Sequence, residues 1–104
     1  MLPPESQYED AALAESREKV AEPPLFKVLV HNDDYTTMEF VVWVLESVFS
    51  MSEEQAIQVM LNVHLRGTGV AGIYTYEIAE TKVERTTTLA REHEYPLLVT
   101  MEEV

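Results

Sequence analysis

Two helix-start signals follow each other in the middle of the chain, and they constrain its fold more than any other feature of the sequence. Thr36-x-x-Glu39 and Ser52-x-x-Gln55 both have the spacing of a capping box, in which each side chain accepts a hydrogen bond from the other residue's exposed amide. Apolar residues at helical spacing follow both boxes, and Gly67 suits the left-handed conformation that ends many helices. The sequence therefore predicts a first helix that runs to about Ser50 and a second that ends at Gly67.

Segments with the character of β-strands lie on either side of this helical pair. Residues Phe26 to Val30 show the period of two that is typical of a half-buried strand. Residues Thr68 to Tyr74 are compatible with a second strand, in which Gly69 and Gly72 indicate a bulge or a close backbone approach. Residues Leu97 to Met101 predict a third strand.

A third helix is predicted between the last two strands. Thr75 is placed to cap it, Glu77 lies in its first turn, and the pattern continues to about Glu92. Its inward stripe is predicted to contain Ile78, Ala79, Val83, Leu89 and Ala90. The element order β-α-α-β-α-β predicts an α+β two-layer sandwich, with a small antiparallel three-stranded sheet covered on one face by three helices.

The chain divides into an acidic tail and one domain. A length of 104 residues fits a single core. Residues 1–22 carry six acidic side chains against one arginine and one lysine, so we expect a flexible tail with at most a weak helix over residues 9–21. Pro23-Pro24 ends this segment, and the domain is expected to span residues 23–104.

Composition excludes several classes of function. The chain has no cysteine, which excludes disulfides, thiolate metal sites and thiol chemistry. Its formal net charge of −12 argues against nucleic acid and membrane partners, because cationic side chains dominate binding to both. Neither a signal peptide nor an apolar run of about 20 residues is recognised, so we expect a cytoplasmic protein. A positively charged partner, such as a free α-amino group, is favoured.

Two polar features could form one site. Asn32-Asp33-Asp34 lies in a predicted loop after the first strand, and Met60, Val63 and His64 share one face of the second helix. Separately, each has a plain structural explanation: a solvated turn, and a core stripe that ends in a satisfied histidine. Together they would surround a hollow with an amide oxygen, carboxylates, an imidazole and methionine walls, which suits a protonated α-amine and its adjoining side chain.

Three segments resemble the ClpS adaptor family. They are Val30–Val41 (VHNDDYTTMEFV), Met60–His64 (MLNVH) and Ala79–Val83 (AETKV), and the likeness extends in order over approximately residues 24–101. The resemblance implies a three-stranded sheet with three helices, no enzymatic activity, no cofactor, and recognition of N-degrons, which are proteins whose first residue is Leu, Phe, Tyr or Trp.

The resemblance also implies roles for individual residues. Asn32, Asp33 and His64 would hold the α-amine and the first peptide group. Met38 would reject β-branched first residues. The side-chain pocket would be shaped by Asp34, Thr36, Met38, Met60, Val63 and Leu97.

A second partner is implied as well. A monomer would dock on the N-terminal domain of a Clp-type AAA+ ATPase through Glu77 and Lys82, and the tail would assist delivery. The family implies a bacterial cytosol or a plastid stroma, and the acidic, arginine-poor tail favours the first. One departure is Thr37, where many members have proline, so we expect a less rigid start of the first helix.

Three alternatives remain open from the sequence. The first is a small enzyme that uses Asp33 or Asp34 with His64 as an acid and base pair. The second is a metal site built from His31, Asp33 and His64, although their spacing is not a recognised zinc pattern. The third is a generic acidic protein-interaction domain, suggested by analogy with the similar-looking ribosomal stalk fold.

Overall fold

The computed structural model describes residues 22–104, so the predicted tail and its weak helix lie outside these residues apart from Glu22. The described chain forms three strands and three helices in the predicted order. They are β1 (Leu25–His31), α1 (Met38–Ser47), α2 (Glu53–Arg66), β2 (Thr68–Thr75), α3 (Tyr76–Glu92) and β3 (Leu98–Glu103).

The sheet is antiparallel, with β1 in the centre and the strand order β2-β1-β3. Val28 and Val30 on β1 are completely buried, because alternate residues of the strand face the helices. On the opposite face, Ile73 and Leu98 are each 53% exposed. The predicted two-layer architecture, with helices on one face only, is therefore confirmed.

Both expectations for the glycines of the second strand are confirmed. The pairing of β1 with β2 contains a bulge at Ala71. Val28 lies opposite Gly72, whereas the next residue, Leu29, lies opposite Val70. A Cβ atom on Gly69 would lie 2.8 Å from a methyl carbon of Val63 on α2. The missing side chain at Gly69 therefore lets α2 pack directly on the strand.

The two ends of α2 are confirmed in detail. Ser52 and Gln55 form the predicted capping box, with bonds of 3.2 and 3.1 Å. Gly67 has a φ of 91° and its amide donates to the Val63 carbonyl. Nothing lies within 4 Å of a Cβ built on Gly67, so this left-handed conformation, rather than space, favours glycine there.

The predicted start of α1 is wrong by one residue. Thr37, not Thr36, is the N-cap, and its hydroxyl accepts a hydrogen bond of 3.1 Å from the Phe40 amide. Thr36 instead belongs to the preceding loop, where its amide and hydroxyl both donate to Asp33. Thr37 also donates to the Tyr95 hydroxyl at 3.4 Å, a contact that a proline at this position could not make.

The first helix also ends earlier than Ser50. It stops at Ser47, and Ser50 adopts a left-handed φ of 55°. No basic residue lies in its last turn, but the ammonium of Lys82 on α3 donates to the Val48 carbonyl at 2.6 Å. A cation at the carbonyl end of a helix is favourable, so α3 supplies the C-terminal charge that α1 lacks.

The inward stripe of α3 differs from the predicted one in two positions. Ala79 and Ala90 are buried as expected, but Ile78 is 50% exposed and the prediction for it was wrong. Thr86 is completely buried instead, and because it carries a hydroxyl group, the apolar pattern does not predict its burial. Thr75 is the N-cap residue, although its side chain makes no capping hydrogen bond.

The strands differ from prediction only at their ends. The first strand was predicted over Phe26 to Val30 but extends from Leu25 to His31, and His31 pairs with Thr68 and Leu98. The third strand begins one residue after Leu97. Within residues 22–104, no helix is both long and apolar enough to cross a membrane.

Replacing Thr86 should stabilise the domain. Within the described residues its hydroxyl is buried and has no hydrogen-bond partner, which costs about 1 to 3 kcal/mol. Thr86→Val keeps the shape and removes the hydroxyl, so we expect urea unfolding to show a gain of about 1 kcal/mol. Thr88→Val, on an exposed position of the same helix, is the control and should change stability little. Equal effects of the two substitutions would contradict this account.

Candidate functional site

One backbone hydrogen bond brings the two polar features together. The Asn32 amide donates to the Gly67 carbonyl at 2.8 Å, which ties the first residue after β1 to the cap of α2. His64 lies in the last turn of α2. The loop and the histidine therefore meet at one end of the domain.

Asp33 organises the loop that follows. One of its carboxylate oxygens accepts from the amides of Tyr35 and Thr36, at 2.8 and 2.7 Å, and the other accepts from the Thr36 hydroxyl at 2.7 Å. This arrangement is an Asx turn, in which a side chain replaces a backbone acceptor. The turn directs the chain into Thr37 and α1.

The same contacts set the charge of Asp33. Burial alone would raise the pKa of its carboxyl group, but the three hydrogen bonds from Thr36 and Tyr35 outweigh that effect, and the pKa lies below its usual value of 3.8. Three bonds also fill most of the roughly four acceptor positions of a carboxylate. Asp33 therefore keeps its negative charge at the site but has little capacity left for a direct bond to a ligand.

The loop and the helices surround a cavity of about 240 Å³ that is open on one side. Its lining residues are Asn32, Asp33, Asp34, Thr36, Met38, Val41, Met60, Val63 and His64. All but one of these were predicted to shape the site. Val41 was missed because its position in the helical pattern assigned it to the core, although it lies one turn after Met38 on the same face of α1.

Leu97 does not line this cavity. It is 1% exposed, belongs to the hydrophobic core and directly precedes β3. Its predicted contribution to a side-chain pocket remains a prediction.

The cavity has a polar side and an apolar side. Asn32, Asp34 and His64 are exposed to solvent on the polar side and no lysine or arginine is present, so the local charge is negative. Met38, which is 43% exposed, and half-buried Met60 flank the apolar side. This arrangement suits a ligand that carries a cation beside an apolar group.

The alternative metal site is wrong. His31 does not line the cavity, because its Nε2 atom is bonded to the Thr100 hydroxyl at 2.8 Å. Among residues 22–104, the histidine, aspartate and glutamate side chains form no group of three that could hold a metal ion. The three residues of that hypothesis are therefore not brought together.

The two residues predicted to contact an ATPase lie on α3 in different surroundings. Glu77 is exposed in the first turn of the helix. Lys82 is half-buried, and besides its bond to Val48 its ammonium lies 6.0 and 5.9 Å from the ring centroids of Phe49 and Tyr74. Glu77 is therefore free to meet a partner, whereas Lys82 already makes contacts within the domain.

An aromatic cluster holds the start of α1 in place. The Phe40 ring contacts those of Trp43, His93 and Tyr95, with centroids 5.6, 5.1 and 4.7 Å apart. His93 and Tyr95 lie between α3 and β3, so the cluster connects α1 to a segment far from it in the sequence. Pairs of this kind add about 0.5 to 1.5 kcal/mol each beyond the area they bury, which fixes one wall of the cavity.

A larger groove, of about 790 Å³, lies beside the connection between α1 and α2. It is shallow, and its only ionisable lining residue is Glu54. Its other polar lining residues are Ser50, Gln55 and Gln58, so it lacks the two aspartates and the histidine that line the smaller cavity.

Comparison with known proteins assigns the chain to a family. A family model described as "ATP-dependent Clp protease adaptor protein ClpS" matches residues 21–100. The chain belongs to the ClpS family. It is 50% identical over 98 residues to the ATP-dependent Clp protease adapter protein ClpS of Myxococcus xanthus, covering 92% of both chains. It is 55% identical over 92 residues to the ClpS of Methylococcus capsulatus, covering 88% of this chain and 87% of that protein.

A solved ClpS structure shares the fold. It is described as "The structure of Agrobacterium tumefaciens ClpS2 bound to L-phenylalaninamide", and it matches with a TM-score of 0.78 and 43% identity over 80% of this chain and all of the other. The ClpS family is named for an adaptor of a protease and not for a protease. The resemblance recognised in the sequence is therefore confirmed.

The charge of Asp33 should be visible in the pH dependence of stability. Because the folded pKa is lowered, its stabilisation is present above 3.8 and is lost as the pH falls through the lower folded value. Asp33→Asn should cost about 1 kcal/mol near neutral pH, and this difference from wild type should shrink in acid. Urea unfolding across a pH series measures both proteins.

Asp34→Asn is the matched control, because Asp34 is exposed and accepts none of these three hydrogen bonds. Its difference from wild type should stay small throughout. A constant offset for Asp33→Asn at every pH would show that the carboxylate charge does not stabilise the turn.

Proposed function

We propose that this protein binds proteins that begin with a bulky hydrophobic residue and a free α-amine, and delivers them to a Clp-type AAA+ ATPase for degradation. The observation that carries the proposal is the cavity between the Asn32 loop and α2, where acidic and amide acceptors lie beside methionine walls. The first residues expected are Leu, Phe, Tyr and Trp.

The polar side of the cavity matches an α-amine. A protonated amine has three donors. The side-chain amide oxygen of Asn32, the Asp34 carboxylate and the His64 imidazole are acceptors within one lining. Asp33 adds negative charge, while its hydrogen bonds to the loop make it chiefly a positioning residue. A charge-assisted hydrogen bond contributes about 1.5 to 3 kcal/mol.

The apolar side matches one large side chain. The bound L-phenylalaninamide of the Agrobacterium relative combines a free α-amine, a benzyl side chain and an amide in place of a carboxylate, as the first residue of a polypeptide does. Burying such a side chain contributes about 1.5 to 3 kcal/mol. With the amine contacts, and after the cost of ordering the ligand, affinity on the order of micromolar is expected.

Acetylation of the substrate tests the amine contacts. A Leu-first peptide should lose roughly a hundredfold in affinity when acetylated, because the positive charge and its donors disappear. The affinity of the free peptide should also fall as the pH rises through about 7.7 to 8.0, where an α-amine loses its proton. Titration calorimetry with Leu-first, acetylated Leu-first and Ser-first peptides measures both effects.

Equal binding of the three peptides would sink the proposal and favour a generic acidic interaction domain. The enzymatic alternative retains one supporting feature, because Asp34 and His64 line the same cavity. Substituting both residues without loss of peptide affinity would revive that alternative.

Delivery requires a second surface, and Glu77 on α3 is the residue best placed to provide it. Exposed apolar residues stand on both sides of it, with Tyr76 51% and Ile78 50% exposed. Ile78 thus faces solvent where an inward position was expected. A second contact of this kind would raise the effective concentration of a bound substrate at the ATPase.

Charge reversal on α3 tests the docking surface. Glu77→Lys should weaken binding to the N-terminal domain of the ATPase about tenfold and leave peptide affinity unchanged, since Glu77 lies outside the cavity. Glu84→Lys makes the same change at another exposed position of α3 and should have little effect. Equal weakening by both glutamate substitutions would indicate nonspecific charge repulsion.

Lys82→Met should lower the unfolding free energy, because it removes the cation at the end of α1.

A further inference from the structure

A second cavity begins where the first one ends. It measures about 400 Å³ and is lined by Met38, Glu39, Val42, Ile57 and Met60. Met38 and Met60 also line the cavity next to the Asn32 loop. The two cavities are therefore neighbours, and one methionine from each helix is common to both.

The second cavity leaves apolar side chains accessible. Met38 is 43% and Ile57 is 37% exposed, and Val42 and Met60 are half-buried. Four of the five lining residues are apolar, and the fifth is Glu39. A contiguous accessible apolar surface with one charge at its side is typical of a binding groove.

The contiguity of the two cavities indicates what covers this groove. A polypeptide whose first side chain fills the 240 Å³ cavity must leave through its open side. Consecutive Cα atoms are about 3.8 Å apart, so the next few residues pass close to the shared methionines. Methionine side chains adapt to different shapes, which suits a surface that meets many sequences.

Building on the function proposed above, we propose that the Met38/Ile57 groove, formed by the five residues that line the second cavity, binds an apolar side chain among residues two to four of the same substrate. Glu39 disfavours an acidic residue there. A lysine is accepted, because its aliphatic stem packs on the apolar wall while its ammonium faces Glu39. The adaptor thereby selects a short sequence and not the first residue alone.

Peptides test this selectivity directly. The reference peptide begins with leucine followed by serine and glycine residues, and leucine, lysine or glutamate is placed singly at positions two, three and four. Leucine at one or more of these positions should tighten binding about 3- to 10-fold, since a half-open groove buries only part of the side chain. Glutamate at the same position should weaken it about 2- to 5-fold.

Substitutions assign the effect to the groove. In Ile57→Glu, the peptide with the added leucine and the reference peptide should bind equally, so that the ratio of their dissociation constants becomes about one. Leu61→Glu is the matched control, because Leu61 is 39% exposed on the same helix but lines neither cavity. Leu61→Glu should retain the wild-type ratio of the two dissociation constants. Glu39→Gln should remove most of the penalty against glutamate, whereas Glu46→Gln, on an exposed position of the same helix, should not.

The outcomes separate this inference from the function on which it rests. Leu-first and Ser-first reference peptides that bind equally would overturn both. A preference for Leu-first peptides that is insensitive to residues two to four would overturn the groove alone, as would equal loss of the ratio in Ile57→Glu and Leu61→Glu. Selective loss in Ile57→Glu supports the groove.

Discussion

The hydrogen bond from the Asn32 amide to the Gly67 carbonyl is the contact on which the site depends. It closes the end of the central strand against the cap of α2. Gly67 presents its carbonyl there from a left-handed conformation, which glycine adopts without the steric cost that a Cβ atom imposes. The bare backbone of Gly69 then allows α2 to lie against β2. Because both contacts fix α2 relative to the Asn32 loop, the position of His64 follows from glycine and backbone geometry.

The acidic side chains near the site have different structural roles. Asp33 accepts three hydrogen bonds within the loop and so fixes the path of the chain into α1, whereas Asp34 and Asn32 remain exposed. Glu39 lies beside the apolar groove that adjoins the cavity. The whole molecule carries a net charge of −12, but its effect at the site comes from a few carboxylates that face the same small volume.

Contacts with α3 and with the turn after it hold α1, the helix that lines one side of the cavity. Lys82 on α3 holds the carbonyl end of α1, and the rings of His93 and Tyr95 pack against Phe40 near its start. The helix that provides one wall of the cavity is thus held at both ends by α3 and the turn that follows it. Lys82 therefore stabilises α1, and its contact with an ATPase remains a prediction.

Of the residues that line the cavity, Thr36 and Met38 were expected only from the resemblance to the ClpS family. The sequence by itself determined the element order, the capping box of α2, the glycine cap and the two polar features of the site, because these depend on local spacing and on periodicity. It could not choose between Thr36 and Thr37 as the cap, since both are threonines and the choice depends on the bonds of Asp33. It also placed Ile78 inward and overlooked Thr86, because apolar character alone does not fix the rotation of α3 on the sheet. Only the tertiary structure decided which polar groups meet and which are already bonded, since hydrogen bonds such as that of Lys82 to Val48 join residues far apart in the chain.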